Sequence, residues 1–492
     1  MLIGLLLLDE MSQSKKTVHE PGLRVASRAI TRSGDPVIPP EISDCIIDFL
    51  HSDKDSLRRC SLVCRAWLPS SSLHLFERFW WPPCHHAWHG WFTKRCHCAF
   101  LDHSNFWPEL LSFIEGSQRV RDYVRTLRIC FCWTVVDFAG WGDGRAEYHH
   151  KIALSNMGVV IDKLPHLRWL YLSSPGFLPE PSPIARMTRG TRSLDRLTLD
   201  YPAPPLASDE RLGLFADLLR LFKRISVLQL TDVMRHRADY HPTPIQDASD
   251  LPEIHTFQVD TATSLALVQF LRILTATADP ASISSIAVHD LIGSGPSPEM
   301  IPLLQAVPNL QTLTLDGVHS ARILDRSMSD LFPRLRKLTV SGYTMVGWGS
   351  GAFSTWPSLR NVADCRIPSV DELLLQFTLK ARMTDPPMPV LDGDLRYALR
   401  ALDWTLLDAV LGAYGNVSLE LRLHRVSLAL SNAQFPHAVR LVEGVARDRM
   451  SARARQGVRL RICWYVPHAC VPSSPSVSRA PKTPDKKRTR AT

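Results

Sequence analysis

The densest set of side chains able to do chemistry lies between residues 84 and 103, where Cys84, His85, His86, His89, Cys96, His97, Cys98 and His103 fall close together. Thiolates and imidazoles are the ligands of tetrahedral Zn²⁺, but a structural zinc site draws them as close pairs separated by a loop. Cys84 with His89 and Cys96 with Cys98 meet that spacing only loosely, and Trp80, Trp81, Trp88, Trp91 and Phe92 are interleaved with them. The expectation is an aromatic packing connector with no metal. Other motifs are weaker. Gly347-Trp348-Gly349-Ser350-Gly351 lacks the Lys-Ser/Thr that completes a phosphate loop. Cys130-Phe131-Cys132 sits in a strand-like run and suits the core, while His149, His150 and Asp162 have no catalytic context. Neither Gly-x-Ser-x-Gly nor His-Glu-x-x-His occurs. No catalytic, cofactor-binding or metal-binding residue is expected, and no cofactor.

The elements that would position any site are set by length and patterning. At about 150 residues per domain, 492 residues allow about three domains or one long repeating unit. With 45% hydrophobic and 21% charged residues, the chain is neither mainly disordered nor collagen-like. The net charge of +9 is concentrated at one end. Between Ser473 and Thr492, Arg479, Lys482, Lys486, Lys487, Arg488 and Arg490 face only Asp485, which leaves +5 there. The remainder is near balance, so nucleic acid is not an expected partner. The segment 484–490 resembles a nuclear import signal or a polyanion-binding arm, and reads equally as a solvated tail. The apolar run Leu2–Leu8 is followed at once by Asp9 and Glu10, far short of the ~18 residues needed to span a bilayer. Residues 1–10 read as a mobile extension or a misassigned start. Eleven cysteines without a disulfide framework suit a reducing compartment, cytoplasmic and/or nuclear.

From residue 121 to 466 one motif recurs, apolar-x-x-apolar-x-apolar. It appears as Leu167-Leu170-Leu172, Leu194-Leu197-Leu199, Ile225-Leu228-Leu230, Ile254-Phe257-Val259, Ile283-Ile286-Val288, Leu310-Leu313-Leu315 and Leu335-Leu338-Val340. An early copy is Val124-Leu127-Ile129, and a weaker one starts at Leu359. Successive starts from Leu167 are 27, 31, 29, 29, 27, 25 and 24 residues apart. This spacing resembles that of leucine-rich repeats. Each motif would be a short strand with alternate side chains inward. The helically spaced stretches 212–222 and 265–274 would pack outside it. The Asn or Cys of regular repeats is absent, with Pro175, Pro202 and Val318 in its place, so an irregular solenoid is expected. An ordinary α/β domain with several such strands is the other architecture that fits. Residues 370–383 read as a helix, and 417–430 and 457–466 as closing strands.

Residues 37–79 read as a compact helical block. Pro39 and Pro40 suit a first helical turn, and Glu41 and Asp44 suit its dipole. Ile42, Ile46 and Phe49, with Ile47 and Leu50, form an apolar stripe. Ser52 with Asp55 resembles a cap for a second helix, whose Leu57, Cys60, Ser61 and Cys64 would be buried while Arg58 and Arg59 meet water. A third helix follows Trp67. About forty residues cannot bury so many apolar side chains among themselves, so a surplus apolar face should await a partner.

On the proline-glutamate opening (Pro39, Pro40, Glu41), the C-S-L-V-C-R-x-W core (Cys60 to Trp67) and the His74-Leu75-Phe76 ending, this block resembles an F-box. It is similar in particular to the F-box proteins numerous in mushroom-forming fungi, which carry degenerate leucine-rich repeats behind it. The resemblance implies an α/β protein with a short N-terminal three-helix F-box followed by an irregular leucine-rich-repeat-like solenoid. It covers the F-box (37–79) and, more loosely, an aromatic His/Cys-rich connector (80–120) and the solenoid with C-terminal capping elements (121–466); outside it, composition alone reads 1–36 as a disordered leader and 467–492 as a disordered basic tail. It further implies a non-catalytic substrate-receptor subunit that binds a Skp-family adaptor, through it a cullin, and a protein substrate on the repeats. Adaptor contacts would fall on Pro39, Ile42, Leu57, Cys60, Leu62, Val63 and Trp67, and substrate contacts on outward strand positions such as Trp169, Tyr171, Arg196, Thr198, Thr312, Thr314, Lys337 and Thr339. Alternatives are an F-box scaffold acting outside ubiquitination and a zinc- or nucleic-acid-binding regulator.

Overall fold

The paired leucines that close each motif alternate with polar residues, and this period of two lays them down as strands. The computed structural model describes residues 39–63, 65–81, 106–130, 133–135, 146–148, 153–173, 192–200, 215, 217–233, 251–292, 300–316, 332–346, 358–381, 392–400, 402, 404–424 and 434–465. The expected leader, the 84–103 Cys/His window, the 347–351 glycine segment and the basic tail lie outside the described residues.

The strands are β1 (Arg78–Trp81), β2 (Thr126–Cys130), β3 (Trp133–Val135), β4 (Ala146–Tyr148), β5 (Trp169–Ser173), β6 (Ser193–Asp200), β7 (Arg224–Val233), β8 (Glu253–Thr263), β9 (Ser285–Ile292), β10 (Thr312–Asp316), β11 (Lys337–Val346), β12 (Glu372–Ala381), β13 (Val417–His424) and β14 (Val458–Tyr465). Strands β3 and β4 form a separate antiparallel hairpin. The other twelve make one sheet in chain order, with every pairing parallel.

The register aligns the motif leucines across the whole sheet. One row runs Phe79, Leu127, Leu170, Leu197, Leu228, Phe257, Ile286, Leu313, Leu338, Leu373, Val417, Val458. A second, two residues on, begins at Trp81 and Ile129 and ends at Leu419 and Leu460. Ten consecutive members of the first row, Leu127 to Val417, have at most 1% of their surface exposed. Each buried Leu, Ile or Phe contributes about 1.5–3 kcal/mol from burial, so these rows are the main cohesive element of the fold.

Helices pack their apolar sides onto the same rows. Leu154, Met157, Val160 and Ile161 come from the helix Leu154–Lys163, and Leu267, Val268, Leu271 and Leu274 from the helix Ser264–Thr277. In chain order the helices are α1 (Pro40–Phe49), α2 (Lys54–Val63), α3 (Leu68–Phe76), α4 (Phe106–Glu115), α5 (Gln118–Tyr123), α6 (Leu154–Lys163), α7 (Ser264–Thr277), α8 (Met300–Gln305), α9 (Ser358–Cys365), α10 (Asp392–Arg400), α11 (Thr405–Ala413), α12 (Phe435–Arg449) and α13 (Ala452–Gly457). Arg192 closes α6, its guanidinium donating to the carbonyls of Ile161, Asp162 and Leu164 at 2.5, 2.7 and 3.2 Å. The structure is thus α/β, with a twelve-stranded parallel sheet.

Three expectations need correction. Residues 370–383 are not helical: they hold β12, whose Leu373, Leu375, Phe377 and Leu379 are buried at period two. Glu, Leu and Gln there favour a helix locally, but the open edge of β11 supplies ten backbone partners and a ready apolar row, which override that propensity. The weak motif at Leu359 is a helix, because Leu359 and Val362 are buried at a spacing of three. The cap of α2 is Asp53, not Ser52. Its carboxylate accepts from the Ser56 amide at 3.1 Å and the Ser56 hydroxyl at 2.7 Å. After the helical block, β1 runs from Arg78 to Trp81. That strand opens the sheet; its Phe79 and Trp81 pack against Phe113, Trp81 meets Phe106 edge-on, and Phe106 meets Trp107 edge-on.

Asp53→Ala should cost about 1 kcal/mol of stability, whereas Ser52→Ala should change it by less than about 0.5 kcal/mol. Phe257→Ala, which opens a hole in the middle of the leucine row, should cost about 3–5 kcal/mol. Urea unfolding followed by circular dichroism measures all three.

Candidate functional site

Two surfaces combine unusual chemistry with exposure. The first is the helical block. Helices α1 and α2 both pack on α3. The side of α1 that meets α3 is built from Ser43 and Ile47, both buried. Two polar clasps hold it there: the Ser70 hydroxyl donates to Asp44 at 2.5 Å, and His74 Nε2 lies 2.7 Å from Asp48 Oδ1. Lys54 at the start of α2 donates to the His74 carbonyl. Because these contacts use the polar flank, the apolar stripe of α1 points away from the protein. Ile42, Ile46 and Phe49 are 52%, 40% and 85% exposed, and on α2 Leu62 and Val63 are 68% and 64% exposed. Leaving five large apolar side chains in water is unfavourable, and such patches mark interaction sites.

Of the seven residues expected to touch an adaptor, Pro39, Ile42, Leu62 and Val63 are exposed and Trp67 is half-buried at the N-terminus of α3. Leu57 and Cys60 are inside the block. They hold α2 against α3 and offer no outer surface. Ile46 and Phe49 were absent from that set, although their spacing with Ile42 had marked them as one stripe. What the sequence could not show was which side of α1 its neighbour would take.

The second surface is the side of the sheet opposite the leucine rows. Trp169, Tyr171, Arg196, Thr198, Thr312, Thr314, Lys337 and Thr339 all lie on it, with Thr198 and Thr339 covered by their neighbours. Side chains here are linked laterally from strand to strand. Trp169 Nε1 donates to Thr198 Oγ1 at 3.0 Å, Thr198 donates to Gln229 Oε1 at 3.2 Å, and Gln229 Nε2 donates to Asp260 Oδ2 at 2.5 Å. A second chain centres on Asp200, which accepts from Tyr171, Ser173 and Thr231 at 2.5, 3.3 and 2.8 Å. Burial, then the Asp200 charge, push the Tyr171 hydroxyl well above its usual range, so it stays a donor. Nearer the first edge, the Arg128 guanidinium lies 4.9 Å from the Trp80 ring centre and 4.3 Å from that of Tyr171. Arg196 lies 5.3 Å from the Trp169 ring. Arg128, Asp200 and Asp260 were not foreseen, and Trp80 was expected only as a packing aromatic; the available signal was that Arg128 lies between two motif residues and Asp200 and Asp260 follow the last one.

The far end of this face carries Glu420, with Cys463 Sγ at 3.1 Å and Arg422 Nε at 2.9 Å. Burial opposes ionisation of Glu420, but the Cys463 and Arg422 bonds and the Arg461 charge together outweigh it and hold the carboxyl below its usual range. Burial and then Glu420 push the Cys463 thiol up to about 11. A thiol so raised is a poor nucleophile. Among the described residues no group of three His, Cys, Asp or Glu side chains stands ready to hold a metal ion, and no helix is long and apolar enough to cross a membrane.

No protein-family model matches the chain, and the comparison with curated proteins finds no significant match.

At pH 8, iodoacetamide should modify the exposed Cys45 on α1 at least tenfold faster than Cys463, because only a small fraction of Cys463 is thiolate there. Peptide mass spectrometry after timed alkylation reads the ratio.

Proposed function

We propose that this protein is a non-catalytic substrate receptor of a Skp–cullin–F-box ubiquitin ligase. Its N-terminal helices would dock on the adaptor, and its repeating sheet, read as an irregular leucine-rich-repeat solenoid, would present a protein substrate. One observation carries this reading: Ile42, Ile46 and Phe49 line one side of α1 in water, with Leu62 and Val63 exposed on α2. These residues sit in the segment whose Pro39-Pro40-Glu41 opening and Cys60-to-Trp67 core resemble an F-box. A partner helix or groove that covers them removes apolar area from water, and the aromatic Phe49 with its neighbours would supply the anchor. The sheet supports the second half of the reading, because its open side is a broad row of polar and aromatic side chains on a rigid frame. The receptor would act by raising the effective concentration of its substrate near the transfer machinery. A cytoplasmic and/or nuclear site of action goes with this role.

Co-expression with a Skp-family adaptor should recover a complex with the intact chain. Ile42→Asp combined with Phe49→Asp should reduce recovery at least tenfold, and Trp67→Ala should weaken it. The Asp substitutions replace exposed residues, so thermal unfolding should be little changed. A complex of undiminished yield from the folded double variant would overturn the assignment.

A further inference from the structure

The first third of the open sheet face holds guanidinium groups without acceptors. Arg128 on β2 is half-buried between the rings of Trp80 and Tyr171, and Arg196 on β6 rests on Trp169. Neither has a carboxylate or carbonyl partner among the described residues. Asp200 on this face has its oxygens committed to the hydroxyls of Tyr171, Ser173 and Thr231. Arg78, exposed on β1, is on the same side of the sheet as Trp80 and also has no ion-pair partner among the described residues. Elsewhere on the face, Lys337 pairs with Glu372 at 3.2 Å and Arg422 with Glu420 at 2.9 Å, whereas Arg459 and Arg461 on the last strand are exposed.

Stacking fixes the plane of a guanidinium and leaves its N–H edges free, a geometry suited to bidentate binding of a carboxylate or phosphate. The rings are themselves held in place. Trp169 is tied to Thr198 through its indole N–H, and Tyr171 to Asp200 through its hydroxyl. The two arginines are therefore preorganised, and an incoming oxyanion would find donors already oriented. In the register, Arg128 is level with Tyr171 and Arg196 with Trp169, so the two lie two strands and two residues apart. That separates their Cα atoms by roughly 12 Å, which an extended chain covers in three to four residues.

We infer that the open face of β1, β2, β5 and β6 is a recognition site for an extended protein segment carrying two oxyanionic side chains, carboxylate or phosphate, one on Arg128 and one on Arg196. The inference rests on the reading of this face as the substrate surface. Charge complementarity selects a peptide over a nucleic acid. Affinity for a phosphodiester backbone is dominated by many Lys and Arg contacts to its phosphates, whereas this patch has three arginines and gives way to Asp200 and Asp260 within a few strands. The ladder of Gln229, Gln258 and Asp260 beyond it suits the polar or basic remainder of the same segment.

The test uses the full chain without adaptor and four fluorescein-labelled probes. Two are twelve-residue Gly/Ser peptides with phosphoserine or with glutamate at two positions three residues apart. The third is the same peptide without either group, and the fourth is a twenty-nucleotide oligo-dT. Fluorescence anisotropy should show the phosphorylated or the glutamate peptide bound at least tenfold more tightly than the plain one. Which of the two binds better distinguishes phosphate from carboxylate. Arg128→Gln/Arg196→Gln should lose at least tenfold, with Ile42→Asp/Phe49→Asp unchanged; that last variant separates failure here from failure of adaptor docking. Arg128→Lys/Arg196→Lys, which keeps the charge and loses the fork, should fall between. Equal affinity of a folded Gln double variant and the parent, no preference for either anionic peptide over the plain one, or tighter binding of oligo-dT than of both would overturn the inference.

Discussion

Everything in this structure depends on two rows of apolar side chains that cross twelve parallel strands without a break. No single motif could stand alone, because a five-residue strand and one helix bury too little area to offset the entropy of ordering them. Stacked in register, Leu127, Leu170, Leu197, Leu228 and their successors exclude water from one another and from the helices above. The same alternation that sends leucines inward sends the intervening residues outward, so a continuous polar face is an unavoidable by-product of the core.

That by-product is where recognition chemistry can accumulate at little cost in stability. Outward residues pay nothing to the core, and their spacing is set by the strand ladder, so donors and acceptors on successive strands meet sideways. The chains from Trp169 to Asp260 and from Tyr171 to Thr231 are the result. They hold aromatic rings in fixed positions, and those rings in turn hold Arg128 and Arg196. The helical block follows a different logic. There α1 is attached by Ile47 and by hydroxyl and imidazole contacts to carboxylates, which frees its apolar stripe for an outside surface.

Much of the sheet was legible in the chain because period-two burial and regular spacing act locally. Strands at Leu170–Leu172 through Leu338–Val340 fall where the motif puts them, and the late strands near 417 and 458 extend the same sheet. The misplacement at 370–383 has a definite cause. Glu372 to Phe377 is made of residues that also form helices, and only the neighbouring β11 edge decides between the two states. The cap of α2 was missed by one residue because Ser52, Asp53, Asp55 and Ser56 are all capable of capping, and the turn before the helix selects Asp53.

By itself, the sequence determined the repeating strand unit, the inward leucines, the helical block with more apolar surface than it can bury, and the residues that would face outward. Those are consequences of composition and period, which any local segment carries. Only the tertiary structure decided that the Ser43 and Ile47 side of α1 is covered while Phe49 and Ile46 turn out, and that Arg128 is flanked by Trp80 and Tyr171. The physical reason is the same in both cases. Which face of a helix is covered, and which residue on a distant strand becomes a neighbour, are settled by long-range pairing: 26 residues separate Asp48 from His74, 48 separate Trp80 from Arg128, and 43 separate Arg128 from Tyr171.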